Sequence, residues 1–359
     1  MDVIMKAMMT RQTGPGLSSE IRDGFTLLEL ARGWLKQGNP VVAVELLRSA
    51  IESAEADRDR TLRARIFKEN GRACMMQSDW DRAEQYYLEA QRVFLEIEDL
   101  RGAAESARNR ANMCFQRGMY RESEELCEQA LEWASQLNDH ELRATILNTV
   151  AAVKSANGEL RDAVQAFRLC LADFQASGNV IRQGYVLLNI GLTQLELQEC
   201  HEAVDNLNDA LAIALSEQDL HLVEICYQSI SKCYLAQRET VLAKSVIDTA
   251  RKILPGLNSG ALETELNLID CRILRTMGSF ADAEKLLERT WQQALEHKLS
   301  ALQADVLMEQ GLLFQDTGEM AMAVAKLEAA TRLYRQLGVD KGFQDAVQTL
   351  NNLQQRTDA

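Results

Sequence analysis

The sequence has 359 residues, 47% of them hydrophobic, and a formal net charge of −14. This apolar content suffices for an extensive core and excludes a wholly disordered chain. A nucleic-acid-binding protein normally presents a basic surface to the phosphates, so the acidic balance argues against DNA or RNA as a partner. No stretch approaches the roughly 20 apolar residues that span a bilayer, so we expect no membrane insertion.

The first residues form a Met-rich stretch without a continuous apolar segment. We therefore predict a flexible N-terminal tail over residues 1–17 rather than a signal peptide. Its apolar residues Met5, Met8 and Met9 are candidates for self-association between copies of the chain.

A 40-residue repeat follows over residues 18–338, and we count eight copies of it. Two columns of mostly small side chains recur at this spacing without an insertion or deletion. The first column is Ala31, Gly71, Ala111, Ala151, Gly191, Ser231, Cys271 and Gly311. The second is Ala43, Ala83, Ser123, Ala163, Ala203, Ala243, Ala283 and Ala323. Since small side chains let two helix backbones approach closely, the columns predict a packed helix pair in every repeat.

Turn signals divide each repeat into two helices. Glycines such as Gly118 and Gly318 stand between the two columns, and polar pairs such as Asn138-Asp139 separate one repeat from the next. Both kinds of residue favour helix ends and turns. A lone pair of helices cannot bury its apolar face, so the repeats are predicted to stack on one another.

The order of these residues resembles the tetratricopeptide repeat. Gly311, Gly318, Ala323, Leu327 and Ala330 show the pattern in the last repeat. The usual period of that family is about 34 residues, and the longer period here resembles its long-helix variety. The resemblance implies an all-α, right-handed α-solenoid whose first helices line a concave groove. Residues 339–356 are predicted to form a capping helix with a polar outer side, followed by a short tail over 357–359.

The groove positions of that family, carried over to this chain, select a polar and cationic set on the second and third repeats. Its members are Arg65, Lys68, Arg72, Arg108, Asn109 and Asn112. Lys68 and Asn109 match the family's carboxylate clamp, whereas Thr145 and Thr149 stand where it needs cations, so the full clamp is absent. The set suits an acidic segment or a C-terminal carboxylate. Alternatively, these cations pair with Glu69 and Glu105 and form a solvated face.

Later repeats present two further sets at groove positions. Lys232, Arg272 and Arg275 form a second cationic cluster. Tyr185, Leu188 and Leu192 form an apolar stretch between the two clusters, which serves either as core packing or as an anchor for a partner helix. Cations flanking an apolar stretch suit an amphipathic acidic peptide.

Catalysis has no support in the sequence. No phosphate-binding loop or nucleophile motif is present, and the four histidines lie in separate repeats without metal-ligand spacing. We therefore expect no catalytic residue, metal or cofactor. The eight cysteines include no C-x-x-C pair, which favours reduced core thiols in a cytoplasmic protein.

The sequence favours a non-enzymatic scaffold or adaptor that binds a peptide or helical segment of a partner protein in its groove. The alternative is a ligand- or peptide-responsive sensor that changes shape on binding and so regulates a partner.

Overall fold

A computed structural model describes residues 23–56, 58–253 and 260–357 of the chain. The predicted tail over 1–17, including Met5, Met8 and Met9, lies outside the described residues. Residues 358 and 359 of the predicted C-terminal tail also lie outside them.

The described residues form seventeen α-helices and contain no strand. In chain order the helices are α1 (Gly24–Lys36), α2 (Pro40–Ala56), α3 (Arg60–Met76), α4 (Trp80–Glu96), α5 (Leu100–Gln116), α6 (Tyr120–Gln136), α7 (His140–Ala156), α8 (Leu160–Ser177), α9 (Val180–Glu196), α10 (Cys200–Ser216), α11 (Leu220–Ala236), α12 (Thr240–Ile253), α13 (Gly260–Thr276), α14 (Phe280–Glu296), α15 (Ser300–Thr317), α16 (Met320–Leu337) and α17 (Asp340–Thr357). Odd-numbered helices up to α15 are the first helices of the repeats, and even-numbered helices are the second helices. The predicted all-helical repeat is confirmed.

Helix ends recur with a period of 20 residues. Within the described residues, one residue with positive φ stands at every twentieth position from Gly38 to Gly338. At the end of α1, the N–H of Asn39 donates to the carbonyl of Trp34 at 2.9 Å, and Gly38 donates to Leu35 at 3.2 Å. This is the Schellman arrangement, which satisfies carbonyls that the helix leaves free.

Aspartates begin many of the first helices. Asp59, Asp99, Asp139 and Asp219 each accept a hydrogen bond from the backbone N–H three residues later, at 2.8–3.0 Å. An N-cap of this kind stabilises a helix by about 1 kcal/mol. The predicted turns between repeats therefore also start the next helix.

The two small-residue columns meet where each first helix crosses its second helix. A Cβ added to Gly191 would lie 3.1 Å from the carbonyl oxygen of Ala203. In the third repeat the hydroxyl of Ser123 donates to the carbonyl of Ala111 at 2.8 Å. The close approach predicted from the two columns is confirmed.

The chain divides into two compact units, Met1–Arg182 and Gln183–Ala359, with the boundary inside α9. In unit 1, buried side chains between successive helices form the core, including Leu47, Phe94 and Ile146. In unit 2, Ala346 and Leu353 of α17 pack into the core beside α15 and α16, and its role as a capping helix stays a prediction. The right-handed sense of the solenoid stays a prediction.

Two further findings concern the whole of the described chain. None of its helices combines the length and the apolar composition needed to cross a membrane.

All eight cysteines are buried free thiols. Burial raises the pKa of several of them, including Cys127 and Cys226, to about 12. The predicted role of the cysteines as core-filling thiols is confirmed.

The contact between the two columns makes a testable prediction at Gly311. Alanine favours a helix over glycine by about 1 kcal/mol, but a Cβ here would lie 2.7 Å from Cγ of the buried Leu327. We expect Gly311→Ala to lower the free energy of unfolding by about 1–3 kcal/mol, measured by urea denaturation. In a Leu327→Ala background the same change is expected to cost nothing; an equal cost in both backgrounds would contradict the contact.

Candidate functional site

Successive first helices touch through one repeated contact that joins a residue to the residue 37 positions later. In unit 1, Nε of Arg32 donates to Glu69 at 2.9 Å, and Oγ1 of Thr149 donates to Asn112 at 3.0 Å. Lys68 contacts Glu105 in the same way. A spacing of 37 residues is about one helical turn short of the 40-residue repeat. This ladder of contacts therefore follows from parallel first helices that pack with an offset of one turn. We call the surface of the first helices that carries these contacts, and that includes Arg32, Lys68 and Asn112, the first-helix face.

Lys68 is committed to an internal pair on this face. Its side chain is only 14% exposed, its Nζ contacts Glu105, and it lies 5.9 Å from the ring centre of Phe94. Burial raises the pKa of Glu105, but Lys68 and Arg101 together hold it below its usual value. For Lys68, the pairing that the sequence left open is therefore present.

The neighbouring arginines are less well neutralised. Arg72 lies 3.8 Å from Glu69, which Arg32 contacts more closely. Arg65 is exposed and forms no ion pair with the described residues. With Arg32, Lys68 and Arg101, it lines a cavity of about 210 Å³. Cations on this part of the face outnumber the carboxylates that contact them.

Arg108 is the least satisfied cation on the face. Its Nη2 donates to the side-chain oxygen of Asn109 at 2.7 Å, whereas its Nε is buried and has no hydrogen-bond partner. Among the described residues no carboxylate forms an ion pair with it. Burial lowers the pKa of this guanidinium, although the negative charge of Glu105 acts in the opposite direction. A half-buried charge that no carboxylate contacts is costly, so the site favours an added anion.

Two asparagines beside Arg108 are arranged as donors. The side-chain oxygen of Asn109 is occupied by Arg108, and that of Asn112 by Thr149. Neither side-chain NH₂ group donates to another described residue. The first-helix face of unit 1 therefore presents a guanidinium and two amide donors together, which suits carboxylate and peptide carbonyl oxygens.

The predicted apolar stretch of Tyr185, Leu188 and Leu192 lies in unit 2 and packs mainly into the core. Leu188 is 5% exposed, so it packs between helices and is not an anchor on a free surface. Leu192 is half-buried. The hydroxyl of Tyr185 donates to Asp219 at 2.9 Å, which holds this ring against the next repeat.

The second predicted cationic cluster is largely neutralised within unit 2. Glu309 is 2% exposed and contacts Arg272 at 3.2 Å and Arg275 at 2.5 Å. Arg275 also pairs with Asp316 at 2.7 Å. Lys232 has no ion pair among the described residues. Although part of its side chain is exposed, desolvation by the surrounding protein lowers its pKa, and the like charge of Arg272 acts in the same direction.

Sequence reasoning missed three cations of unit 1 that this face brings in: Arg32, Arg101 and Arg182. Arg32 occupies the same column as Arg72, so the repeat itself could have identified it. Arg101 and Arg182 lie about one helical turn before the position that corresponds to Arg65 in their own repeats. Only the packing of the helices brings them to the site. Within the described chain, no group of three or more His, Cys, Asp or Glu side chains is placed to hold a metal.

Glu309 provides a direct test of the neutralised cluster. We expect Glu309→Gln to lower the free energy of unfolding by about 3 kcal/mol, because it leaves two arginines without their buried carboxylate. Glu328→Gln is the control, since the Glu328–Arg332 pair is long at 3.8 Å and exposed; it should cost less than about 1 kcal/mol. Equal effects in thermal or urea denaturation would contradict the buried pairing.

Comparison with known proteins agrees with this architecture. The family model of the tetratricopeptide repeat matches residues 102–176. No curated relative matches the sequence at a significant level. Solved structures match over nearly the whole chain, although their sequences are at most 15% identical in the three cases that follow, so they bear on the fold alone.

The apo form of RapI has a TM-score of 0.71 at 15% identity, with 94% of this chain and 91% of that chain covered. A Rap protein complexed with competence and sporulation factor has a TM-score of 0.56 at 14% identity, with 94% and 98% covered. The apo form of the quorum sensor NprR from B. thuringiensis has a TM-score of 0.56 at 12% identity, with 92% and 87% covered. Residues 102–176 therefore match the tetratricopeptide repeat, and the helix pairs on either side of them continue the same all-α, tetratricopeptide-like repeat fold.

Proposed function

We propose that this chain is a peptide-responsive regulatory protein of the cytoplasm. A short acidic peptide binds to the first-helix face of unit 1, and its presence changes how the chain holds a partner protein. The observation that carries the proposal is Arg108, an enclosed guanidinium with no carboxylate partner among the described residues.

The chemistry of the face specifies the ligand. A carboxylate of the peptide pairs with Arg108, while Asn109 and Asn112 donate to peptide carbonyl oxygens. A desolvated hydrogen bond to a charged group contributes about 1.5–3 kcal/mol. Arg65 and Arg72 attract the peptide at longer range, against the repulsion that an acidic ligand meets from the chain as a whole, whose net charge is −14.

Proteins with a similar fold favour regulation by a bound factor over a role as a rigid scaffold. Two similar structures are a Rap protein in complex with competence and sporulation factor and the quorum sensor NprR. Their sequences are distant from this one, so they support the class of function and name neither the peptide nor the partner. The proposed role is binding, without a catalytic step or cofactor.

The proposal is tested with fluorescent pentapeptide pools that contain Asp or Glu and carry a free C-terminus. We expect saturable binding by fluorescence anisotropy, and we expect Arg108→Gln to weaken it by about tenfold or more, which corresponds to 1.4 kcal/mol. Arg332→Gln on the exposed side of α16 is the matched control and should leave binding unchanged. Basic pools of the same length should not bind.

Acidic pools that fail to bind, or that bind wild type and Arg108→Gln equally, would remove the basis of the proposal. Small-angle scattering with the selected peptide then tests whether binding changes the shape of the chain, separately from whether the peptide binds. A change in the radius of gyration is the expected result for a sensor. An unchanged radius would instead assign the chain the simpler role of a scaffold that binds acidic segments.

A further inference from the structure

One column of the repeat lies next to the first small-residue column and faces the preceding second helix. Its described members are Leu30, Asn70, Arg110, Val150, Ile190, Ile230, Asp270 and Gln310. Four of the eight are apolar, and the two charged ones meet partners on the preceding second helix. Arg110 reaches Gln91 at 3.2 Å in unit 1, and in unit 2 Asp270 accepts from Lys244 at 3.0 Å and Arg251 at 2.6 Å.

Gln310 has no such partner. It is 8% exposed, and its Oε1 is buried without a hydrogen-bond partner. At the positions that supply Lys244 and Arg251 to Asp270, the preceding helix α14 carries Glu284 and Trp291 instead. The carboxylate of Glu284 cannot donate, and no hydrogen bond joins Trp291 to Gln310. A buried acceptor therefore faces a slot that the neighbouring repeat does not fill.

The slot is large enough for a small molecule. A cavity of about 550 Å³ opens between α14, α15 and α16, beside Gln310. This volume lies within the usual range of small-molecule sites. Leu313, Phe314 and Met322 supply an apolar wall. Met322 stands in a column that is charged in most other repeats, where Arg82, Glu122 and Asp162 occupy it.

The rim of the slot carries charges of both signs. Lys285, Arg289 and Lys326 line it and form no ion pair with any described residue. Glu284 and Glu288 line it as well, and neither is paired with a cation among the described residues. A purely anionic ligand would meet the two glutamates, and a purely apolar ligand would leave Gln310 unpartnered.

We propose that this slot binds a zwitterionic apolar amino acid. The ammonium group donates to Oε1 of Gln310 and is balanced by Glu284 and Glu288. The carboxylate is held by the cations of the rim, with Lys326 closest to burial among them. The side chain of the ligand packs against Phe314 and Met322. The site lies in unit 2 and is independent of the peptide site proposed on unit 1.

Isothermal titration of the full chain tests the site with L-leucine, L-methionine and L-phenylalanine. We expect saturable heat for at least one of them. N-acetyl-leucine lacks the ammonium charge and leucinamide lacks the carboxylate, so each should bind at least about tenfold more weakly than leucine or not at all.

Two variants assign the binding to the slot. Gln310→Leu places an apolar residue where Ile190 and Ile230 stand in other repeats, so it should raise the melting temperature of the free protein and abolish the response to amino acids. Lys326→Met should weaken binding by about tenfold or more. Gln344→Leu, at an exposed position of α17, is the control and should keep wild-type affinity.

The proposal is overturned when none of the three amino acids produces saturable heat, or when N-acetyl-leucine binds as tightly as leucine. Wild-type affinity in a folded Gln310→Leu variant also overturns it, because Oε1 of Gln310 then makes no contact with the bound amino acid. None of these three results bears on the peptide site, whose test uses Arg108 and acidic peptides.

Discussion

The close crossing of two helix backbones within each repeat is the constraint on which the rest of the structure depends. Gly191 and Ala203 show how little space it leaves, since a single added Cβ would come within 3.1 Å of a carbonyl oxygen. Helix ends at every twentieth residue keep the crossing in the same place in each repeat. Neighbouring first helices therefore meet at a constant one-turn offset, and the ladder of contacts 37 residues apart follows from it.

That constant offset determines which charges can pair. Where a cation at the Arg32 position faces a glutamate 37 residues later, as in Arg32–Glu69 and Arg272–Glu309, the pair is made and the charge is used internally. Where the chain places Asn112 opposite Thr149, no carboxylate is supplied. Arg108 lies beside this point, which explains why an enclosed guanidinium there lacks a counterion. The same repeat thus gives structural ion pairs in one place and a candidate ligand site in another.

Much of the fold was predictable because it rests on local signals in the sequence. Small residues at fixed spacing and turn glycines such as Gly118 and Gly318 predicted the helix pairs, and the polar turns proved also to contain N-cap aspartates such as Asp139. The fate of the candidate site residues was less predictable, since it depends on which side chain the next repeat supplies. The buried Glu309 neutralises Arg272 and Arg275, and Leu188 enters the core. Neither outcome is visible until the one-turn offset between first helices is known.

The central claim is that Arg108 binds a carboxylate of an acidic peptide. It is tested most directly by a double-mutant cycle between Arg108→Gln and Asp→Asn or Glu→Gln changes along the selected peptide. We predict that one acidic position couples to Arg108 by at least about 1.5 kcal/mol, while the others couple weakly. Coupling near zero at every position, including a C-terminal carboxylate replaced by an amide, would contradict the claim.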